Sequence, residues 1–347
     1  MYSESDLQSA IEAGAIPREA ADALRQHVAA MRATPLVDEE HFRLLTGFND
    51  IFVTIAGVIL LVSVAWLANS IVPKGIGSGV AVAAVSWGLA EYFTRRRRMA
   101  LPSIMLLLGF AGGVAFATIS LLAMLFPDPG DRGGAALAAV AALVTAVATW
   151  FHWKRFIVPI TVAAGAASCA GVAIGLLLAA APGLIDHAFW LVLVGGVAIF
   201  ALAMRWDMSD RSRTTRRSDV AFWLHLTAAP MIAHSMFHLL GVFNGDIGVG
   251  TAVTVLLLYV AFGLVALAVD RRALLVSSLA YVLYALYALF EQAGVIELSA
   301  AFTALVIGSA LLLLSALWHR ARKLVVEGLP ADMRARLPLL DREAVAG

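Results

Sequence analysis

A succession of apolar stretches, each about 20 residues long and separated by short polar links, leaves this chain very few ways to fold. Lipid offers no partner to an unpaired backbone group, and about 20 residues of helix cross the ~30 Å hydrocarbon core. By that criterion spans fall at 51–72, 76–94, 101–126, 132–151, 156–180, 187–206, 220–241, 248–269, 273–290 and 298–318. Composition agrees: 61% of the residues are hydrophobic and 14% charged, too little polar material to cover a water-soluble exterior. The expectation is an all-α fold, a polytopic membrane helix bundle of about ten transmembrane helices.

A net charge of +1 conceals a strong segregation. If the N-terminus is inside, the cytoplasmic segments carry Arg43, Arg95, Arg96, Arg97, Arg98, Lys154, Arg155, Arg205, Arg211, Arg213, Arg216, Arg217, Arg271, Arg272, Arg320, Arg322 and Lys323. The opposite links carry only Lys74 and Arg132, beside Asp128, Asp131, Asp186, Asp246, Glu291 and Glu297. The positive-inside rule therefore predicts both termini in the cytoplasm. Most tryptophans, Trp66, Trp150, Trp190 and Trp318 among them, fall near span ends, where an amphipathic indole prefers to sit. Gly109 with Gly113 and Gly171 with Gly175 are small pairs at spacing four that let helix backbones approach closely.

The boundaries read as a cytoplasmic helical hairpin over 1–35, an interfacial helix or linker over 36–50, the ten-span bundle over 51–318 and a cytoplasmic tail over 319–347. In the hairpin, Gly14 stops a first helix from Asp6 to Ala13, and Pro17 opens a second that runs to about Ala33. Leu7, Ile11, Ala20, Leu24, Val28 and Met31 form an apolar seam at helical spacing, too small to fold without something to dock on. The first 45 residues lack a basic segment followed by an apolar core, so no cleavable signal peptide is expected. In the tail, Pro330 and Pro338 should divide the chain into short pieces.

The seventh span concentrates the chemistry. His225, Pro230, Met231, His234, Met236 and His238 lie within fourteen residues of an otherwise apolar segment, where ionisable side chains are functional candidates by default. His234 and His238 share a helix face at i and i+4, one turn beyond a proline that frees a carbonyl. They could line a substrate or proton path together with His225, Tyr284 and Tyr287, the tyrosines coming from a stripe at 281, 284 and 287 in the ninth span. The plain alternative is that each imidazole and phenol bonds to a neighbouring helix. A metal would need a third ligand beside His234 and His238, with His187, Asp186 or Asp246 within reach by depth. Glu91 and Asp50, at span ends, read as interfacial partners for arginine rather than proton carriers.

Other classes recede. There is no phosphate-cradling Gly-Lys-Ser or Gly-Lys-Thr loop, no His-Glu-x-x-His and no Gly-x-Ser-x-Gly elbow, so neither an ATPase domain nor a resident cofactor is expected. The arginines at 95–98 and in the 211–217 loop suit anionic lipid headgroups, and no nucleic-acid partner is inferred. Cys169, the only cysteine, sits among Ala and Gly as a small apolar side chain.

The segment DLQSAIEAGAIPREAADALRQHV (6–28), followed by an Ala-, Leu- and Gly-rich polytopic bundle, resembles bacterial predicted integral membrane proteins of unknown function. DVAFWLHLTAAPMIAHSMFHLLG (219–241) and ALLVSSLAYVLYALYALF (273–290) are similar to stretches of proteobacterial membrane proteins of that kind. The resemblance implies a multi-pass protein of the bacterial inner membrane and no particular activity. Two function classes follow. One is a transporter or channel for a small solute or lipid-like molecule. The other is a scaffold or sensor whose N-terminal hairpin recruits a cytoplasmic protein or a second copy. An intramembrane metalloenzyme is a third class, and it requires a bound metal.

Overall fold

The computed structural model describes residues 9–24, 48–72, 75–211, 213, 215–242, 248–292 and 299–340. Residues 1–42 form one compact unit and residues 43–347 another. In the described part of the first unit, residues 9–12 and 18–24 are helical. Gly14 turns between them at φ +69°, a conformation that suits a residue without Cβ, and Pro17 stands just before the second helix. Leu7, Val28, Met31 and most of the expected interfacial segment lie outside the described residues.

The second unit is a sequence of helices without a strand among the described residues. In chain order they are α1 (Phe48–Ile71), α2 (Ile76–Ala90), α3 (Ala100–Leu125), α4 (Gly130–Phe156), α5 (Ile160–Ala180), α6 (Ala188–Ser209), α7 (Arg216–Leu239) and α8 (Val249–Val269). α9 (Ala273–Gln292), α10 (Ser299–Ala316), α11 (Trp318–Glu327) and α12 (Ala331–Arg334) complete the series. A π-turn, Glu91–Arg96, extends α2, and a 3₁₀ turn, Pro182–His187, leads into α6.

Eight of these helices, α1 to α8, with α2 counted through its π-turn to Arg96, are each long and apolar enough to cross a membrane; a ninth span results if α10 and α11, bent by 75° at their junction, are taken together. α9 offers a shorter apolar stretch, 273–287. The expected count of ten is thus met by eight or nine under this criterion. Phe52, Val194, Leu257 and Leu312 turn outward, each more than 60% exposed. A surface of that kind belongs against hydrocarbon, which makes the chain a multi-pass membrane protein.

Hairpins close on small residues. A Cβ built on Gly113 of α3 would stand 2.7 Å from the Gly79 carbonyl oxygen of α2, and one on Gly175 of α5 would stand 2.9 Å from Ala139 of α4. Gly196 of α6 meets Met231 and Ile232 of α7 in the same way. Without a Cβ the backbones approach closely, and dispersion across that contact supplies what the hydrophobic effect cannot in lipid.

The main core forms around α7. Fifty-six per cent of its apolar window is buried, against 39% for α8 and 6% for α1. Leu224, Ala228, Ala229, Ala233 and Phe237 pack there with Val255 of α8 and Val282 of α9. After α11 the tail doubles back: Leu337 buries itself beside Val269 and Val326, and Pro330 and Pro338 keep the segment from continuing as one helix.

Candidate functional site

A cluster of buried charges lies at the end of the bundle where α6 stops and α7 begins, not along the histidine face of α7. Asp207 ends α6 and is 1% exposed; Arg271, in the short α8–α9 link, is 5% exposed. Arg271 donates from Nη2 to Asp207 Oδ1 at 2.8 Å and from the same nitrogen to the Ser218 carbonyl at 3.2 Å. His225, two turns into α7, places Nε2 2.9 Å from Asp207 Oδ2. A carboxylate only accepts, so this contact puts the ring proton on Nε2. Nδ1 is buried without a hydrogen-bond partner, and a cavity of about 10 Å³ lies among His225, Phe200, Arg271 and Leu274.

A second acidic group extends the cluster. Asp270 caps α8 in the left-handed region, at φ +59°, where a short polar side chain is better tolerated than a branched one. Its Oδ2 accepts from Arg213 Nη1 at 2.8 Å and its Oδ1 from Trp318 Nε1 at 2.9 Å. Arg322 of α11 is 1% exposed; its Nε stands 3.6 Å from Asp270 Oδ1 and its terminal nitrogens donate to the Pro338 and Leu339 carbonyls. Asp210 accepts from the Thr215 N–H and hydroxyl, and Thr215 in turn caps α7 by accepting from the Arg217 N–H. Two carboxylates, Asp207 and Asp270, thereby take the ion pairs of Arg213, Arg271 and Arg322.

Several arginines read from the sequence as headgroup partners or orientation signals therefore turn inside the protein. Arg213, Arg271 and Arg322 are held in ion pairs away from solvent. Arg211 donates to the Leu337 carbonyl of the tail. The sequence reading took Arg271 and Arg322 only as orientation signals, gave Arg211 and Arg213 to lipid headgroups as well, and passed over Asp207, Asp210 and Asp270. The available sign was acid among bases, in Trp206-Asp207 and Asp270-Arg271-Arg272, at links where arginine alone would have marked the side. Glu91 does act as an arginine partner, binding Arg155 at 2.7 and 3.0 Å across α2 and α4.

The candidate path residues do not converge. Nine residues of helix, two and a half turns, separate His225 from His234 and put them on opposite sides of α7. His234 is exposed and contacts the hydroxyl of Tyr281 on α9 at 2.7 Å, while His238 stacks on Phe189 of α6 at 3.5 Å between ring centroids. The tyrosine opposite the histidines is Tyr281. Tyr284 and Tyr287, at 47% and 36% exposure, lie on the outer surface of α9 because spacings of three and six rotate them off the His234 side. Among the described residues, no three His, Cys, Asp or Glu side chains gather as a metal site. His187, the weak third candidate, sits exposed at the end of the 3₁₀ turn, and Asp246 lies outside the described residues.

A buried histidine that the sequence reading passed over lies in the other half of the bundle. His152 of α4 is 1% exposed and packed by Trp87, Phe110 and Phe156, with Nδ1 3.2 Å from Thr161 Oγ1. Thr161 is at the start of α5, so the contact pins the α4–α5 hairpin at the end where Arg155 meets Glu91.

No protein-family model, curated protein or solved structure matches the chain.

Proposed function

We propose that this is a ten-span protein of the bacterial inner membrane, with both termini in the cytoplasm, that moves a small solute or a lipid-like molecule. The observation that carries this reading is the sealed contact of Asp207, Arg271 and His225, which joins α6, α7 and the α8–α9 link at the basic end of the bundle. Ionisable groups within membrane helices are expensive and, where present, line paths or hold gates. Here two helices and a link that could separate are held by one carboxylate. With the pair intact the cytoplasmic end is closed, and loss of it frees α7 to move at Pro230, where the helix lacks one backbone hydrogen bond. The asymmetry of basic residues supports the orientation, and the reading takes α9, shorter in its apolar stretch, and α10, bent into α11, as the two spans beyond α8.

The test is passage across proteoliposomes, followed by light scattering with glycerol and by dithionite quenching of a fluorescent phospholipid. Wild-type protein moves one of the two, and Asp207→Asn, still folded, raises the resting rate tenfold. Failure of both arms for wild type and variant refutes the reading.

A second reading has its own support. Residues 1–42 make a compact unit of their own, as a recruiting element of a scaffold or sensor requires. Deletion of residues 1–33 should then remove specific proteins from those that co-purify; an unchanged set sinks this alternative.

A further inference from the structure

Two cavities at the end of the bundle opposite the ion cluster share one wall. The first, about 650 Å³, lies between α3, α4 and α5; the second, about 920 Å³, lies between α1, α2 and α3. Both are in the size range of small-molecule sites, about 300–1,000 Å³. Ile119, Ala123 and Pro127 line both, so the outer half of α3 is the partition. Ile119 is 54% exposed and Phe126 52%, which leaves the pair open sideways to the surrounding lipid.

Their chemistry differs. In the first, the two hydroxyls are already spent within their own helices, Thr145 on the Ala141 carbonyl and Ser168 on the Ala164 carbonyl, both at 2.8 Å. What remains is Ala, Leu, Ile, Phe and Gly, a dry groove. It runs from Gly134 to Thr145 along α4, about 16 Å at ~1.5 Å per residue. One leaflet of the hydrocarbon core is about 15 Å deep. The second cavity carries donors: the Ser120 hydroxyl, the Trp66 indole and the Asn69 amide, whose oxygen is engaged by the Gly75 N–H at 3.1 Å. Such an indole belongs at the polar boundary of a membrane.

An occupant that fits both is apolar over one leaflet's depth and carries hydrogen-bond acceptors where that depth ends. We infer that the paired cavities hold one membrane phospholipid, an acyl chain in the α3–α4–α5 groove and the ester and headgroup region against Trp66, Asn69 and Ser120. The groove is mostly apolar and both of its side-chain hydroxyls are engaged, so it suits an acyl chain better than water. The site is independent of transport, since a bound lipid stands or falls whatever the proteoliposomes do.

The experiment is native mass spectrometry of the full chain, released from nanodiscs of phosphatidylethanolamine and phosphatidylglycerol and washed in delipidating detergent. One phospholipid stays with each wild-type chain. Ala138→Phe, which fills the groove, and Ile119→Trp, which fills from the shared wall, lower its retention at least tenfold. Val194→Phe, on the far lipid-facing surface of α6, leaves retention unchanged. Ile119 is at the surface, so that variant carries the test if Ala138→Phe fails to fold. Equal retention by all four proteins overturns the site and leaves surrounding lipid only; retention of free fatty acid in place of phospholipid also overturns it.

Discussion

Asp207 and Arg271, 64 residues apart in sequence, meet at 2.8 Å with side chains 0% and 6% exposed. A guanidinium and a carboxylate withdrawn together from water keep their charges only through each other and the groups that complete their hydrogen bonds, here His225 and the Ser218 carbonyl. The contact is a joint between α6, α7 and the α8–α9 link, and its failure would be felt in all of them.

Removing one partner should therefore harm more than removing both. Asp207→Leu removes the carboxylate that Arg271 binds at 2.8 Å while leaving its guanidinium buried, and is expected to destabilise by about 3–5 kcal/mol. Asp207→Leu with Arg271→Met should recover more than half of that. Thermal unfolding in one detergent, compared across the two singles and the double, gives the coupling.

Trp318 tests the second half of the cluster. Trp318→Phe keeps the ring under Arg272, which stands 4.7 Å from its centroid, but removes the N–H that Asp270 accepts. The loss should be about 1–3 kcal/mol, the penalty for a buried acceptor deprived of one donor. The same unfolding assay measures it.

The tail should be releasable. Leu337→Asp places a charge between Val269 and Val326 and removes the apolar contact that seats the carbonyls bound by Arg322 and Arg211. Trypsin should then cut at Arg334 and Arg336 at least fivefold faster than in wild type. The cleavage rate, read by the mass of the released fragment, decides it.

Adjacent glycines in α3 should behave in opposite ways. A Cβ on Gly112 meets nothing within 4 Å, whereas one on Gly113 falls 2.8 Å from the Ala83 nitrogen. Gly112→Ala should be neutral or slightly stabilising, and Gly113→Ala should cost about 1–3 kcal/mol through overpacking.

The His234–Tyr281 contact should matter little to folding. Hydrogen bonds between membrane helices average about 0.6 kcal/mol and reach about 1.7. Tyr281→Phe should stay within that range, well below Asp207→Leu. A larger loss would return the exposed face of α7 to consideration as a site.

Sequence alone determined the helical class, the membrane setting and most helix positions, because lipid penalises every unpaired backbone group and so writes its length rule directly into the chain. The stop at Gly14, the prolines of the tail and the close approach at Gly113 and Gly175 were legible for the same reason, each being a local constraint. α9 and α10 were expected as full spans on length, yet one falls short in its apolar stretch and the other bends into α11. The histidines of α7 were legible as unusual but not as placed. Periodicity gives the angle between His225 and His234; it does not say which neighbour stands at either angle. Only the tertiary structure decided that Tyr281 rather than Tyr284 or Tyr287 faces His234, and that Arg271, Arg213 and Arg322 turn inward. An arginine at a span end satisfies the positive-inside rule whether it reaches lipid headgroups or a buried aspartate. The difference rests on which carboxylate the packing of α6, α8 and α11 brings within ion-pair distance, 2.8 Å for Arg271 and Arg213 and 3.6 Å for Arg322.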